Sequence, residues 1–357
     1  MKNITMEREK MILLPENERK LIVDILTKYG VSEEDAKITA DVFVDADLKG
    51  FTSHGIGRFP QYVEGLECGN INPNPNIKVV KETPATATID GDFGLGQVVG
   101  KKAMELAIEK AKNVGIGAVA TRNSNHFGIA GYYSEMAMRE GLIGITITNT
   151  EPAMAPFGGK DKILGTNPVA IAFKGKKYVF SLDMATASIA RGKILEMARL
   201  GKSIPEGCAV DKDGNLTTDP IKALEGSILP FGGPKGYGLA LAIEALAAIG
   251  GAEMGTKVKG TANPKDKCTK GDLFMAIDPG AFWDREKFME KVDELMDEIK
   301  NSEPAKGFSE VLIPGDIERM NMEKRKNGFE IDEVLYKRLK EICEKNGLDI
   351  NDYVKVE

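Results

Sequence analysis

The 357-residue chain has two histidines, His54 and His126, and a single tryptophan. Any proton transfer near neutral pH that needs an imidazole must therefore use one of these two. They lie far apart in the chain and form no local ligand pair, so no metal is expected. The four cysteines, Cys68, Cys208, Cys268 and Cys343, have no paired spacing, which argues against a disulfide framework and a zinc ribbon. The longest apolar run, Tyr237 to Gly250, is broken by Glu244 and is too short to span a bilayer. The opening MKNITMEREK lacks the apolar stretch of a secretory signal and reads as a loose polar extension. A formal net charge of -6 argues against a nucleic-acid surface. The expectation is a cytoplasmic protein with neither a membrane nor a nucleic acid as partner.

Hydrophobic residues make up 42% of the chain and charged residues 29%, the ordinary balance of a globular protein. Leu21, Ile22, Ile25 and Leu26 share one face and predict a helix from Pro15 to Tyr29, closed by Gly30. Ser32, with Asp35 three positions on, opens a second helix that stops at Gly50. A third is predicted over Phe59 to Glu67. Beyond Pro73 and Pro75, short apolar runs alternate with helical patterns. Strands are expected at 77–80, 86–89, 117–121, 144–148, 169–173 and 178–182, then at LFMAID and finally at VLIP. Helices are expected at 97–113, 129–140, 190–200, 237–249, 286–301 and 333–344. Residues 205–219 read as an exposed, turn-rich segment. The pattern implies a helical N-terminal unit over 11–75, an α/β catalytic and cofactor-binding core over 76–315, and a C-terminal helical extension over 316–357 that packs on the core.

Several short motifs could carry chemistry. GLGQVVG follows a strand and precedes a helix, but its spacing is G-x-G-x-x-x-G and the next strand ends on Arg122 rather than an acid. A standard Rossmann half is therefore not expected, and a glycine turn at a helix start is the better reading. TSHGIGR sets Ser53, His54 and Arg58 in one glycine-flanked loop. An imidazole can move a proton to or from an oxygen, and a guanidinium can grip a carboxylate at two points. The plain alternative is a polar connecting loop. RNSNHFG places His126 among small polar residues after a strand, where α/β sites gather; the alternative is an Asn-rich turn. GGPKGYG sets Lys235 at a helix start, suited to a phosphate or simply exposed. Asp183 and Arg191 could position a ligand or pair with each other.

TSHGIGRFPQYV, RNSNHFGIAGYY, NTEPAMAPFGG, LGTNPVAIAF, LDMATASIARGKI, PFGGPKGYGLALAIE and VLIPGD, in this order from about Pro15 to Gly315, resemble the malate/L-lactate dehydrogenase type-2 family, also called sulfolactate dehydrogenase-like. Its archaeal sulfolactate/malate branch is the most similar. The resemblance implies an α/β, non-Rossmann NAD(P)-binding fold with a mixed sheet, NAD or NADP as cofactor, and a homodimer with sites near the subunit interface. It places the family's Ser-His pair on Ser53 and His54 and its carboxylate-gripping arginine on Arg58. The NHFG histidine falls on His126, and either histidine can hold the acid/base role. Cofactor contacts carry over to Thr150, Asp183, Met184, Ala185, Lys235, Gly236, Pro314, Gly315 and Asp316, and a substrate-side position to Arg191. Lys193 stands where some relatives carry an acid, which puts a Ser-His-Asp relay in doubt.

The resulting expectation is hydride transfer between NAD(P) and C2 of a short L-2-hydroxy or 2-oxo acid, malate or sulfolactate foremost. Arg58, Arg191 and Arg122 are candidates for binding two anionic groups. The alternatives are a non-catalytic NAD-binding scaffold and a serine hydrolase using Ser53 and His54. The hydrolase is disfavoured because no nucleophile elbow is present and adjacent residues of an extended segment point apart.

Overall fold

The computed structural model describes residues 10–260, 263 and 266–357, so the polar extension read at the N-terminus lies almost wholly outside the described residues. The chain opens with a short strand, β1 (Met11–Leu13), and three helices, α1 (Pro15–Lys28), α2 (Glu33–Lys49) and α3 (Phe59–Glu67). The Ser32 hydroxyl accepts the Asp35 N–H at 3.1 Å and starts α2 as the sequence indicates. Gly50 ends it in the left-handed region, at φ 89°. Two strands, a helix and a third strand follow: β2 (Lys78–Glu82), β3 (Thr86–Gly94), α4 (Gly96–Val114) and β4 (Ile116–Ser124). Next come α5 (Ala130–Arg139), β5 (Ile143–Thr148), β6 (Val169–Lys174) and β7 (Val179–Met184). A small lobe carries α6 (Arg191–Leu200), β8 (Ala209–Val210), α7 (Pro220–Glu225) and β9 (Ser227–Ile228). The chain continues with α8 (Pro234–Ala247), β10 (Asp272–Ile277), α9 (Arg285–Lys300) and α10 (Asp316–Arg325). It closes with β11 (Phe329–Ile331), α11 (Glu333–Lys345) and β12 (Val354–Val356).

The central sheet has seven strands in the order β2-β3-β4-β10-β5-β6-β7. Only β3 and β4 pair in parallel; the other neighbours are antiparallel. This mixed α/β sheet is not the parallel array of a Rossmann domain. Because side chains alternate along a strand, β10 turns Phe274 and Ala276 toward α4 and α5 while Leu273 faces the opposite side with Ile243 of α8. The apolar run that suggested a helix around Glu244 is α8. Its buried Glu244 accepts from Asn149 at 3.0 Å, Asn167 at 2.6 Å and the Gly255 N–H at 2.9 Å. These bonds offset the cost of burying its charge.

The helical N-terminal unit shares one core with the end of the chain. Leu21, Ile25 and Phe43 pack with Leu339, Cys343 and Tyr353. β1 is the middle strand of a second, antiparallel sheet between β11 and β12, with Met11 opposite Ile331 and Val356. α10 lies along α2, and its Asn321 amide donates to the Lys49 carbonyl at 3.1 Å.

The expected strand at VLIP is not formed. Residues 311–313 run without ladder partners, Ile313 packs on Val292 and Met296 of α9, and the chain turns at Gly315, where φ is +98°. Pro314 has no N–H to give a ladder; its carbonyl accepts the Ser181 N–H, at 3.1 Å.

Candidate active site

Two loops on different parts of the fold bring the histidines together. After Gly50 the chain makes a tight turn in which His54 N–H and Gly55 N–H both donate to the Phe51 carbonyl, at 2.8 and 3.1 Å. The turn, not an extended segment, sets Ser53 Oγ 2.9 Å from His54 Nδ1. Adjacent side chains therefore meet here, contrary to the extended-chain expectation. His126 arrives from the end of β4, and the two rings lie with centroids 5.4 Å apart and planes 27° from parallel.

The His126 loop is braced from below. Asp92, Phe93 and Asn123 hold left-handed backbone, with φ 48°, 57° and 49°. The Asn125 amide ties them together by donating to the carbonyls of Phe93 at 2.7 Å and Gly94 at 2.9 Å. α4 begins directly beneath, where Gly96 is required: a Cβ there would sit 2.2 Å from the Asn125 carbonyl oxygen.

Tyr62 and Gln97 complete the cluster, and sequence reading missed both. The Tyr62 hydroxyl lies 2.7 Å from His126 Nδ1 and 2.8 Å from the His126 carbonyl, and Gln97 donates to it at 2.8 Å. Gly128 N–H also donates to His126 Nδ1, at 3.3 Å. An accepting Nδ1 assigns the ring proton to Nε2. The signal for Tyr62 was its polar tip on an otherwise apolar helix face four residues after Arg58. Gln97 gave none beyond lying at a helix start.

Loss of water, and then the Arg58 charge, push the His54 pKa down to about 4. His126 is held well below the ordinary value by burial first, then by Arg58, His54 and Lys270. Both rings are neutral at pH 7 and can accept or donate. Lys270, paired with Asp272, lies over the Phe127 ring at 4.5 Å.

The remaining sequence candidates each have their own local partners. Gly192, beside the exposed Arg191, lies against Ser53: a Cβ there would be 3.2 Å from Ser53 Cβ. Lys193 pairs with Glu196 at 3.4 Å. Asp183 accepts the Gly131 N–H at 2.7 Å, at the start of α5 just beyond His126. A cleft beside it is lined by Phe51, Ile129, Gly131 and Ser181. Pro314 and Gly315 abut Ser181, so these groups share one wall with Asp183. Met184 ends β7, and Ala185 packs on the small lobe. Asp316 accepts from Lys300 and Arg319, both at 2.7 Å. Thr150 Oγ1 accepts the Thr166 N–H at 2.9 Å. Gly236 is buried, and Lys235 stands exposed at the start of α8 after two glycines with positive φ. An exposed cation at an open helix start fits the phosphate end of a dinucleotide. Arg122 is paired with Asp90, Nε to Oδ2, at 3.1 Å.

A family model described as malate/L-lactate dehydrogenase matches residues 14–340. The chain is 77% identical to the L-sulfolactate dehydrogenase of Methanocaldococcus jannaschii over 97% of its own length and 100% of that protein. It is 59% identical to the malate/(S)-sulfolactate dehydrogenase of Methanothermus fervidus, over 95% of this chain and 99% of that one. The solved sulfolactate dehydrogenase of M. jannaschii superposes with a TM-score of 0.93 at 78% identity, covering 96% of this chain and 99% of that one. The fold, the order of the motifs and these likenesses agree, and the chain belongs to the malate/L-lactate dehydrogenase family.

Proposed function

We propose that the protein transfers a hydride between NAD or NADP and C2 of a short L-2-hydroxy or 2-oxo acid, with malate and sulfolactate as the leading substrates. The observation that carries this reading is the meeting of His54, Ser53 and Arg58 from one loop with His126 from another. The nicotinamide supplies the hydride acceptor or donor when bound. Ser53 Oγ accepts His54 Nδ1–H and leaves the Nε2 lone pair free to take the substrate hydroxyl proton. In reduction the same nitrogen returns it. The Nε2–H of His126 donates to the substrate oxygen. Arg58 holds the C1 carboxylate. The carboxylate's negative charge offsets the guanidinium's field, weakens the second cause of the depressed His54 pKa, and brings the ring nearer the range suited to proton exchange. Arg191, at the rim beside Ser53, serves the second anionic group. Lys235 and Gly236 hold cofactor phosphate, and the Asp183 to Ala185 wall, Thr150 and the Pro314 to Asp316 turn hold the rest of the cofactor.

The protein works as a cytoplasmic homodimer in this reading. Among the described residues no helix is long and apolar enough to cross a membrane. α8 buries Ala240, Ile243 and Ala247 but leaves Leu241 48% and Ile249, just beyond its end, 67% exposed, an apolar strip that a second copy would cover.

The test follows reduced nicotinamide at its absorbance band with a panel of 2-oxo acids, in wild type and in His54→Asn and His126→Asn. Turnover is expected on the dianionic acids, with kcat lowered at least about a hundredfold by the loss of the acid/base group. The assignment fails when neither substitution does this. A clear preference for lactate over malate and sulfolactate in kcat/KM would contradict the two-anion reading.

A further inference from the structure

Beneath the His54 turn lie two carboxyl groups with almost no access to water. Glu18 of α1 is 0% exposed and Asp47, in the last turn of α2, is 2% exposed. Asp47 reaches forward over its own loop: Oδ2 accepts the Ile56 N–H at 2.5 Å. Gly55 leaves the room for it, since a Cβ at 55 would sit 2.1 Å from the Asp47 carboxyl. The carboxylate thus grips the backbone within two residues of His54. Among the described residues no donor faces either buried oxygen of Glu18, and the group within reach is the Asp47 carboxylate. Two acceptors facing each other in a dry space repel unless a proton lies between them. The other charges facing the pair are Arg325 of α10, with Nη2 3.8 Å from Asp47 Oδ1, and Arg19 of α1, which is paired with Asp41. Arg325 also lies over the Phe329 ring at 4.4 Å.

We propose that Glu18 and Asp47 share a single proton, and that Asp47 is a positioning residue for the loop bearing Ser53 and His54. Glu18 holds the proton and donates it to Asp47, which stays an anionic acceptor for Ile56. Burial pushes Glu18 well up from the usual carboxyl range; the Ile56 N–H, the Glu18 bond and Arg325 oppose the same push on Asp47. The positioning role rests on the reading of His54 as the acid/base group.

Infrared spectra of wild type and Glu18→Gln at pH 7 test the shared proton. The wild type is expected to show a neutral carboxylic-acid carbonyl band that Glu18→Gln lacks; its absence from the wild type overturns the pair. Asp47→Ala and Asp47→Asn test positioning. Asp47→Ala is expected to lower kcat at least tenfold with KM within threefold, and to shift the imidazole NMR signals of His54 more than those of His126, the ring stacked on it. Asp47→Asn keeps an oxygen for Ile56 and is expected to restore kcat to within threefold of wild type. An Asp47→Ala protein with kcat within twofold of wild type, or an Asp47→Asn protein as impaired as Asp47→Ala, overturns the positioning role. If Asp47→Ala does not fold, the comparison of Asp47→Asn with wild type decides, and a kcat more than threefold down in that folded variant counts against the proposal. A wild type inactive on every 2-oxo acid would refute the proposed function, yet the infrared band and the His54 shift would still decide this inference.

Discussion

Replacing Gly96 with alanine should displace the His126 loop without unfolding the protein. The added Cβ would lie 2.2 Å from the Asn125 oxygen, 2.4 Å from the His126 oxygen and 2.6 Å from the His126 carbonyl carbon. All three are backbone atoms, so no side-chain rotation relieves the clash. Contacts below 3.0 Å are essentially never seen for a real Cβ, so the loop or the start of α4 must retreat by about 0.8 Å. Overpacking of this kind costs about 1–3 kcal/mol of stability. The effect on turnover is larger in kind. His126 is held at its carbonyl and at Nδ1 by the same Tyr62 hydroxyl, so movement of the loop strains both contacts. A misplacement of about 1 Å in a catalytic group costs roughly a hundredfold in rate. The measurement is kcat/KM for oxo-acid reduction at a temperature where urea titration shows the variant fully folded. A folded Gly96→Ala enzyme within threefold of wild type would refute the claim that this close approach sets the position of His126.

Three further outcomes are expected. Folded His54 titrates near 4 against an ordinary 6.5, so between those values the unfolded chain binds the extra proton. Its contribution to stability is whole above about pH 6.5 and is lost as pH falls toward 4; the urea midpoint should drop from pH 7.5 to pH 5, and less so in His54→Asn. Leu241→Asp should convert a dimer to a monomer by light scattering, and a wild type that is already monomeric would end the dimer reading. Leu339→Ala, at a fully buried position in the core shared by the two ends of the chain, should cost about 2–5 kcal/mol by urea unfolding.

What was legible in the sequence had a local cause. The Ser32 cap, the Gly50 stop and the apolar stripe of α1 each act within a few residues, and the helices fall within a residue or so of where they were expected. α8 began three residues early because proline suits a first helical turn. The elements that escaped depend on distant partners or carry no stripe. β1, β11 and β12 are three residues each and exist only because chain segments more than three hundred positions apart meet. α10 buries none of its residues, so no periodicity marked it. At the site, both histidines, Ser53 and Arg58 could be named because imidazoles are scarce and glycines flank them. That the two loops would converge, and that Tyr62 and Gln97 would fix one ring, required the packing of α3 and α4 against the end of β4.

The placement of β1 between β11 and β12 has a consequence for how the molecule is made. A ribosome releases the turn bearing Ser53 and His54 early, but the core beneath it lacks Leu339, Cys343 and Tyr353 until those far later residues have been made. The first helices must wait, partly uncovered, through about three hundred further codons at roughly 5–20 residues per second. Closure of that second sheet therefore waits until residue 356 can slot in beside Met11.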